Sequence, residues 1–407
     1  LSDAPAAARR PAAVAFIFIT VVLDVLALGI IIPVLPRLVE TFMGGNTGRA
    51  AEIYGLFGSV WALMQFVCSP ILGAFSDRFG RRPVILLSNF GLGLDYVLMA
   101  LAPTIGWLFV GRVLSGITGA SYTTAAAYIA DVTPPEKRAG SYGLIGAAWG
   151  LGFVLGPALG GLLGDVDPRL PFWVAAGMTL LNALYGLFVL PESLPAEHRR
   201  PLDWRRANPL GALRLLRSHP ELFGLGSVNF LYFLAHQVLP STFVLYAGHR
   251  YGWDARAVGL TMAGVGVCNI AVQAGLVRPA IRKLGERRVL LTGLFFGAAG
   301  FLVYGLANTG RTFLLAVPVF ALIGFYSPAA QQMMTRRVGP SEQGQLQGAN
   351  SSVMGIAGLL GPGLFTLTFA WFLRPHTWQL PGAPFLLASL LMVIALGVAW
   401  KVTRPAR

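Results

Sequence analysis

The sequence predicts an all-α polytopic membrane protein, with twelve transmembrane helices in two six-helix pseudo-symmetric bundles. Three observations carry this expectation. Of the 407 residues, 55% are hydrophobic and 12% charged, with 50 Gly and 27 Pro, whereas soluble domains carry about 25% charged residues. Apolar runs of the ~20 residues needed to cross a bilayer recur along the whole chain. A constant offset of 205 residues lays Gly80 on Gly285, Arg82 on Arg287, Pro135 on Pro340, Gly150 on Gly355 and Gly156-Pro157 on Gly361-Pro362. Such a parallel repeat relates two halves by an axis along the membrane normal.

The apolar runs fall near 14–36, 53–75, 84–103, 105–130, 140–164 and 171–190, then near 221–247, 255–279, 288–307, 311–335, 343–370 and 382–400. Backbone groups in lipid must be satisfied within the segment, so each run is expected to be a helix. This divides the chain into a tail (1–13), a first bundle (14–190), a polar basic linker (191–220), a second bundle (221–400) and a second tail (401–407).

The formal net charge of +14 does not read as a nucleic-acid surface, because the basic residues sit in short clusters between apolar runs. Arg9-Arg10, Arg78/Arg81/Arg82, Lys137-Arg138, the linker arginines, Arg282-Lys283, Arg287-Arg288 and Arg336-Arg337 fall on one predicted side. The positive-inside rule then puts both termini in the cytoplasm, and the expected location is a bacterial cytoplasmic (inner) membrane. Cys68 and Cys268 lie inside apolar runs and read as buried hydrophobes, not as metal ligands or a disulfide. The first run is too long for a signal-peptide core. No phosphate loop is present to support ATP hydrolysis, and no metal or organic cofactor is expected. The coupling ion would be the proton.

Only two acidic residues fall deep inside predicted spans, Asp24 in the first and Asp95 in the third; Arg112 lies within the fourth. A charge at that depth costs roughly 2.5–3.5 kcal/mol on insertion scales, so each is expected to face a cavity or a partner. These three are candidates for proton coupling. The second half has no deep acid, and His236 in the seventh span is its titratable candidate. Gln237 beside it, Gln273, Gln331, Gln332 and Asn350 are candidates to line a polar cavity. Tyr96 and Tyr122, with Trp61, Trp149, Phe230, Tyr232, Phe325 and Tyr326, are candidates to wall an aromatic pocket for a flat amphipathic compound.

The loop GAFSDRFGRRPVIL (73–86) joins the second and third spans. Asp77 ends one helix, Gly80 permits a tight turn, and Pro83 suits the first turn of the next helix. With Gly73, Arg78 and Arg81 these residues form a GxxxDRxGRR pattern. The pattern resembles the signature loop of the major facilitator superfamily, and that resemblance implies its fold. It also implies that Asp77 and Arg81 belong to a charge-relay latch between the halves. The second-half copy, GLVRPAIRKLGERR, carries Arg282 where the acid stood, so any latch is expected to be asymmetric.

The fifth span holds GLGFVLGPALGG (150–161), with Gly152, Gly156 and Gly160 spaced by four and Pro157 among them. That spacing favours close helix packing, and the segment also resembles the antiporter signature of drug–proton exchangers. The stretches LDVLALGIIIPVLP (23–36), MQFVCSPILGAFSDRFGRRP (64–83) and GRVLSGITGASYTTAAAYIADVTPPEKRAGSYGLIGAAWGLGFVLGPALGGLLG (111–164) look like bacterial tetracycline-resistance efflux proteins. The resemblance places Asp24, Gln65, Asp95 and Arg112 in the translocation path. Those pumps commonly have a His in the eighth span, where this chain reads GVCNIAVQ with Asn269. Asn269 cannot titrate near neutral pH, so tetracycline itself is expected to be handled poorly.

The expected function is proton-coupled export of amphipathic small molecules or drugs by a protein acting as a monomer in the lipid bilayer. Proton-coupled uptake or metabolite exchange would use the same parts. A membrane enzyme or a receptor would need a catalytic constellation or a ligand domain, and the sequence offers neither.

Overall fold

The computed structural model describes residues 6–119, 121–134, 138–199, 213–218, 220–339 and 342–404. Helices occupy nearly all of them. In chain order these are α1 (Ala6–Ile31), α2 (Leu35–Phe42), α3 (Thr47–Phe79), α4 (Arg81–Leu101), α5 (Ile105–Thr118), α6 (Ser121–Val132), α7 (Arg138–Val166) and α8 (Leu170–Val189). Next come α9 (Leu213–Ser218), α10 (Pro220–His236), α11 (Val238–Tyr251), α12 (Ala255–Ala271), α13 (Val277–Leu284) and α14 (Glu286–Leu306). The chain ends with α15 (Gly310–Phe320), α16 (Tyr326–Thr335), α17 (Gln343–Phe372) and α18 (Ala383–Val402).

Among the described residues, eleven helical stretches are long and apolar enough to cross a membrane. The remaining expected span, 105–130, is described as α5 and α6 on either side of residue 120, which lies outside the described residues. Two runs are broken for a clear reason. Pro33 interrupts the first run in the turn between α1 and α2. Pro240 cannot donate to the His236 carbonyl, and the helix breaks at His236–Gln237 between α10 and α11.

The chain forms two compact units. The first comprises residues 1–35, 63–208 and 255–263; the second comprises 36–62, 209–254 and 264–407. In the first, α1 packs on α7 and α8, and α4 packs on α8. In the second, α14 and α10 pack on α18, and α10 packs on α17.

The α1–α7 contact explains the glycine spacing. A Cβ on Gly156 would lie 2.6 Å from the Gly29 Cα, so the two backbones touch where side chains would normally stand. Gly152 and Gly160 meet Val25 and Ile30 of the same helix. Dispersion contacts between backbones replace the water-driven burial that lipid cannot supply.

On two helices of the first unit, large apolar side chains face outward while polar ones are buried in the core. On α4, Leu87, Phe90, Leu94 and Leu101 are exposed while Ser88, Asn89 and Asp95 are buried. On α8, Leu181, Leu184 and Phe188 are exposed while Thr179 and Asn182 are fully buried. Apolar rims around polar interiors suit lipid as the surrounding solvent.

Candidate functional site

In the first unit, α1, α4, α5 and α8 bring a polar group together. Asn182 of α8 donates from Nδ2 to the Asp24 Oδ1 at 2.9 Å and to the Thr20 carbonyl at 3.0 Å. One buried amide thus binds the Asp24 side chain and its own helix backbone. Asp95 on α4 is 1% exposed. Gly111 of α5 makes room for it, since a Cβ there would stand 2.9 Å from the Asp95 Oδ1. The next residue, Arg112, lies within electrostatic reach of that carboxylate. The Tyr96 hydroxyl lies within reach of Asp95, Arg112 and Asp24 together. Depth in the sequence foresaw Asp24, Asp95 and Arg112. It did not foresee Asn182, which reads as a lone amide in the apolar run LNALYGLF.

The remaining first-unit candidates lie nearby or outside this group. The Gln65 Nε2 sits 2.9 Å from the place a Cβ on Gly119 would take, at the end of α5. Trp149 stacks on Phe153 at 5.5 Å. The side chain of Tyr122 lies outside the described residues.

In the second unit, α10, α16 and α17 surround a cavity of about 190 Å³. Asn229 and Phe233 come from α10, Ser327 and Gln331 from α16, and Gln347, Asn350, Ser351 and Met354 from α17. Gln331 and Asn350 were foreseen; the other six were not. Tyr232 stacks on Tyr326 at 4.0 Å and on His236 at 6.0 Å, a short aromatic column beside the amides. Gln237 instead occupies the helix break, its Nε2 3.4 Å from a Cβ position on Gly358 of α17. Asn269 is half-buried near the end of α12, and Gln273 is exposed in the wide turn Val272–Leu276. Neither lines this cavity.

The basic loop is held inside the first unit. The Arg81 guanidinium donates to Asp77 at 2.5 Å, to the Ser76 hydroxyl at 2.6 Å and to Asp131 at 3.0 Å. Ser193 also donates to Asp131, at 3.1 Å. The Glu192 carboxylate accepts from the backbone N–H groups of Arg81 (2.9 Å), Ser193 (2.9 Å) and Leu194 (3.0 Å). It therefore caps the N-terminus of α4, where a negative charge complements the helix dipole. Gly80 has φ +106, and a Cβ there would strike the Glu192 carboxylate. Arg78 is exposed, with its guanidinium 5.3 Å from the Phe79 ring centroid. A Cβ on Gly73 would meet nothing within 4 Å. Asp131 and Glu192 were missed because each reads, alone, as an ordinary solvated acid.

The family model described as Major Facilitator Superfamily matches residues 17–362 and 278–407. Tetracycline resistance protein, class C, of Escherichia coli is 37% identical over 380 residues, 93% of this chain and 93% of that protein. Tetracycline resistance protein, class D, of Salmonella ordonez is 32% identical over 404 residues, 98% of each. Among solved structures, the human organic anion transporter MFSD10 (TETRAN) aligns with a TM-score of 0.71 at 25% identity, covering 96% of this chain and 99% of that one.

Proposed function

The chain belongs to the major facilitator superfamily, a family of membrane transporters and not of enzymes, and on that premise we propose that it is a proton-coupled exporter of amphipathic small molecules, working by alternating access. Asp24 and Asp95 carry the proton, and substrate and proton compete for the carboxyl-bearing state. The proposed setting is a bacterial inner membrane with both termini cytoplasmic and one chain as the working unit.

The observation that carries the coupling is Asp95. Its carboxylate is sealed in the first unit, neither oxygen bonds to another described residue, and the Arg112 charge stands close by. A protonated carboxyl tolerates such a place; an ionised one needs a counter-charge or water. One proton moving inward releases ~2.3 kcal/mol per 100 mV. At ~100 mV that sustains about a fifty-fold gradient of a neutral substrate.

The test is drug flux into proteoliposomes under an imposed pH gradient. Asp24→Asn and Asp95→Asn are each expected to abolish gradient-driven accumulation while the protein stays folded. Concentrative transport by both variants would move the coupling elsewhere, with His236 the next group to test.

The relatives' names favour a second reading, in which tetracycline itself is a substrate. Asn269 argues against it, as the eighth-span position where a titratable His is expected. Accumulation of tetracycline beside a set of dyes, in a pump-deficient bacterium expressing the wild type and Asn269→His, separates the two. Broad dye exclusion with gain of tetracycline efflux on Asn269→His supports the broad exporter. Selective exclusion of tetracycline by the wild type supports the second reading.

A further inference from the structure

The polar chain around the second unit's cavity has a direction, set by a sulfur atom. The Asn229 Nδ2 lies 3.2 Å from the Met334 Sδ and 3.0 Å from the Asn350 Oδ1. A thioether accepts hydrogen bonds and cannot donate them. Met334 is fully buried, so it forces the nitrogen of Asn229 to face it and leaves the oxygen to accept from the Tyr326 hydroxyl at 2.5 Å. With both N–H bonds of Asn229 committed, Asn350 must offer its oxygen. The Asn350 Nδ2 then gives a long hydrogen bond of 3.4 Å to the Gln331 Oε1. Each amide fixes the next, and the last free group is the NH2 of Gln331, which bonds to no described residue.

No residue lining the cavity carries a formal charge. An ion entering it would lose hydration with no opposite charge in return. The volume of about 190 Å³ is below the 300–1,000 Å³ of pockets that enclose a whole drug-sized ligand. It suits one edge of a larger molecule, with Phe233 and Met354 supplying apolar contact.

We infer that this cavity is a subsite for the uncharged carbonyl edge of a flat ligand, and that Gln331 is its specificity-determining donor. The inference deepens the reading of the chain as a small-molecule transporter and rests on it only for the presence of a ligand. Loss of one neutral hydrogen bond corresponds to roughly a three- to ten-fold change in affinity. The role of Met334 is indirect: it positions the chain of amides that ends at Gln331.

Xanthone and xanthene test this. They are neutral tricycles of nearly equal size, differing in one ring carbonyl. Their affinities are measured by calorimetry on the full chain in lipid nanodiscs. Wild type is expected to bind xanthone roughly three- to ten-fold more tightly. Gln331→Leu should erase that preference with xanthene affinity kept. Met334→Leu, of nearly the same volume, should weaken the preference although Gln331 is intact, because Asn229 is then free to turn over. Equal affinities in wild type, a preference that survives Gln331→Leu, or no binding of either probe overturns the inference. The readout is equilibrium binding, so a failure of proton coupling or of export leaves it standing.

Discussion

The corner between α3 and α4 and the corner between α13 and α14 share a backbone and reverse its charges. Gly80 (φ 106, ψ 159) and Gly285 (φ 78, ψ 159) make the same positive-φ turn 205 residues apart. Arg82 donates to the Leu187 carbonyl at 2.5 Å, and Arg287 to the Trp400 carbonyl at 3.4 Å. Each of these carbonyls lies two residues before the end of its helix, α8 or α18. The same offset carries Arg81 onto Glu286 and Asp131 onto Arg336, and both pairs are bonded, at 3.0 and 2.8 Å. Coulomb attraction is indifferent to which partner is positive. What the repeat preserves is therefore a tie between two helix ends, whatever the sign on each.

The two ties differ in setting. The Arg81 side chain is 10% exposed, between Asp131 and Asp77, whereas in the second tie Glu286 is 15% exposed but its partner Arg336 is 66% exposed. Removing one partner of a buried pair leaves an uncompensated charge and costs about 3–5 kcal/mol. A pair whose cation stands largely in solvent is screened by it and contributes less, toward the roughly 0–1 kcal/mol of exposed pairs.

The largest expected effect follows from that contrast. Arg81→Gln should lower the melting temperature by several degrees, in line with the buried-pair cost, and slow transport. Arg336→Gln should lower both by clearly less, because its own side chain stands largely in solvent although Glu286 does not. In the open corner, Glu286→Arg with Arg336→Glu should behave as wild type. Swapping Arg81 with Asp131 should not, because Asp77 and Ser76 accept from the guanidinium and Ser193 donates to the Asp131 carboxylate as each now stands. Equal losses at Arg81 and Arg336, read by thermal melts and proteoliposome flux, would break the comparison.

A smaller difference is expected at the paired glycines. Both hold a positive φ with an extended ψ, a region essentially restricted to glycine that costs an alanine roughly 1–3 kcal/mol. Gly80→Ala adds a collision with the Glu192 carboxylate, while a Cβ on Gly285 meets nothing within 4 Å. Thermal melts should therefore rank Gly80→Ala below Gly285→Ala, and the reverse order would mean that the Glu192 cap is not what makes the first corner special.

The smallest effect sharpens the role of Asp77, whose side chain is 48% exposed. Asp131 still holds Arg81 when Asp77 is neutralised. Asp77→Asn should slow interconversion between transport states by a few-fold with substrate affinity intact. Unchanged flux with lost equilibrium binding would remove Asp77 from the conformational step.

Much of the candidate site was legible because its signal is local. Asp24 and Asp95 stand out as carboxylates inside apolar runs, and the Gly73–Arg82 pattern declares a turn. Asn182, Asn229, Glu192 and Asp131 carry no such mark. Each matters through a partner on another element, and in the sequence each is one polar residue among many. One signal was present but only pairwise. Arg81 with Asp131, set against Glu286 with Arg336 at the same offset, is a charge reversal at two positions at once, and it becomes meaningful when the two positions are known to touch.

The sequence by itself determined the membrane class, the helical runs, the internal repeat and the glycines that let backbones meet. These follow from hydrophobicity and from the demand that every backbone group in lipid be bonded within its own helix, both readable over a few tens of residues. Only the tertiary structure decided which acid holds Arg81, which amide holds Asp24, and which way the amides beside Met334 point. Hydrogen bonds and ion pairs act over about 3 Å and depend on direction, so they are settled only when helices distant in the chain have packed to within that distance.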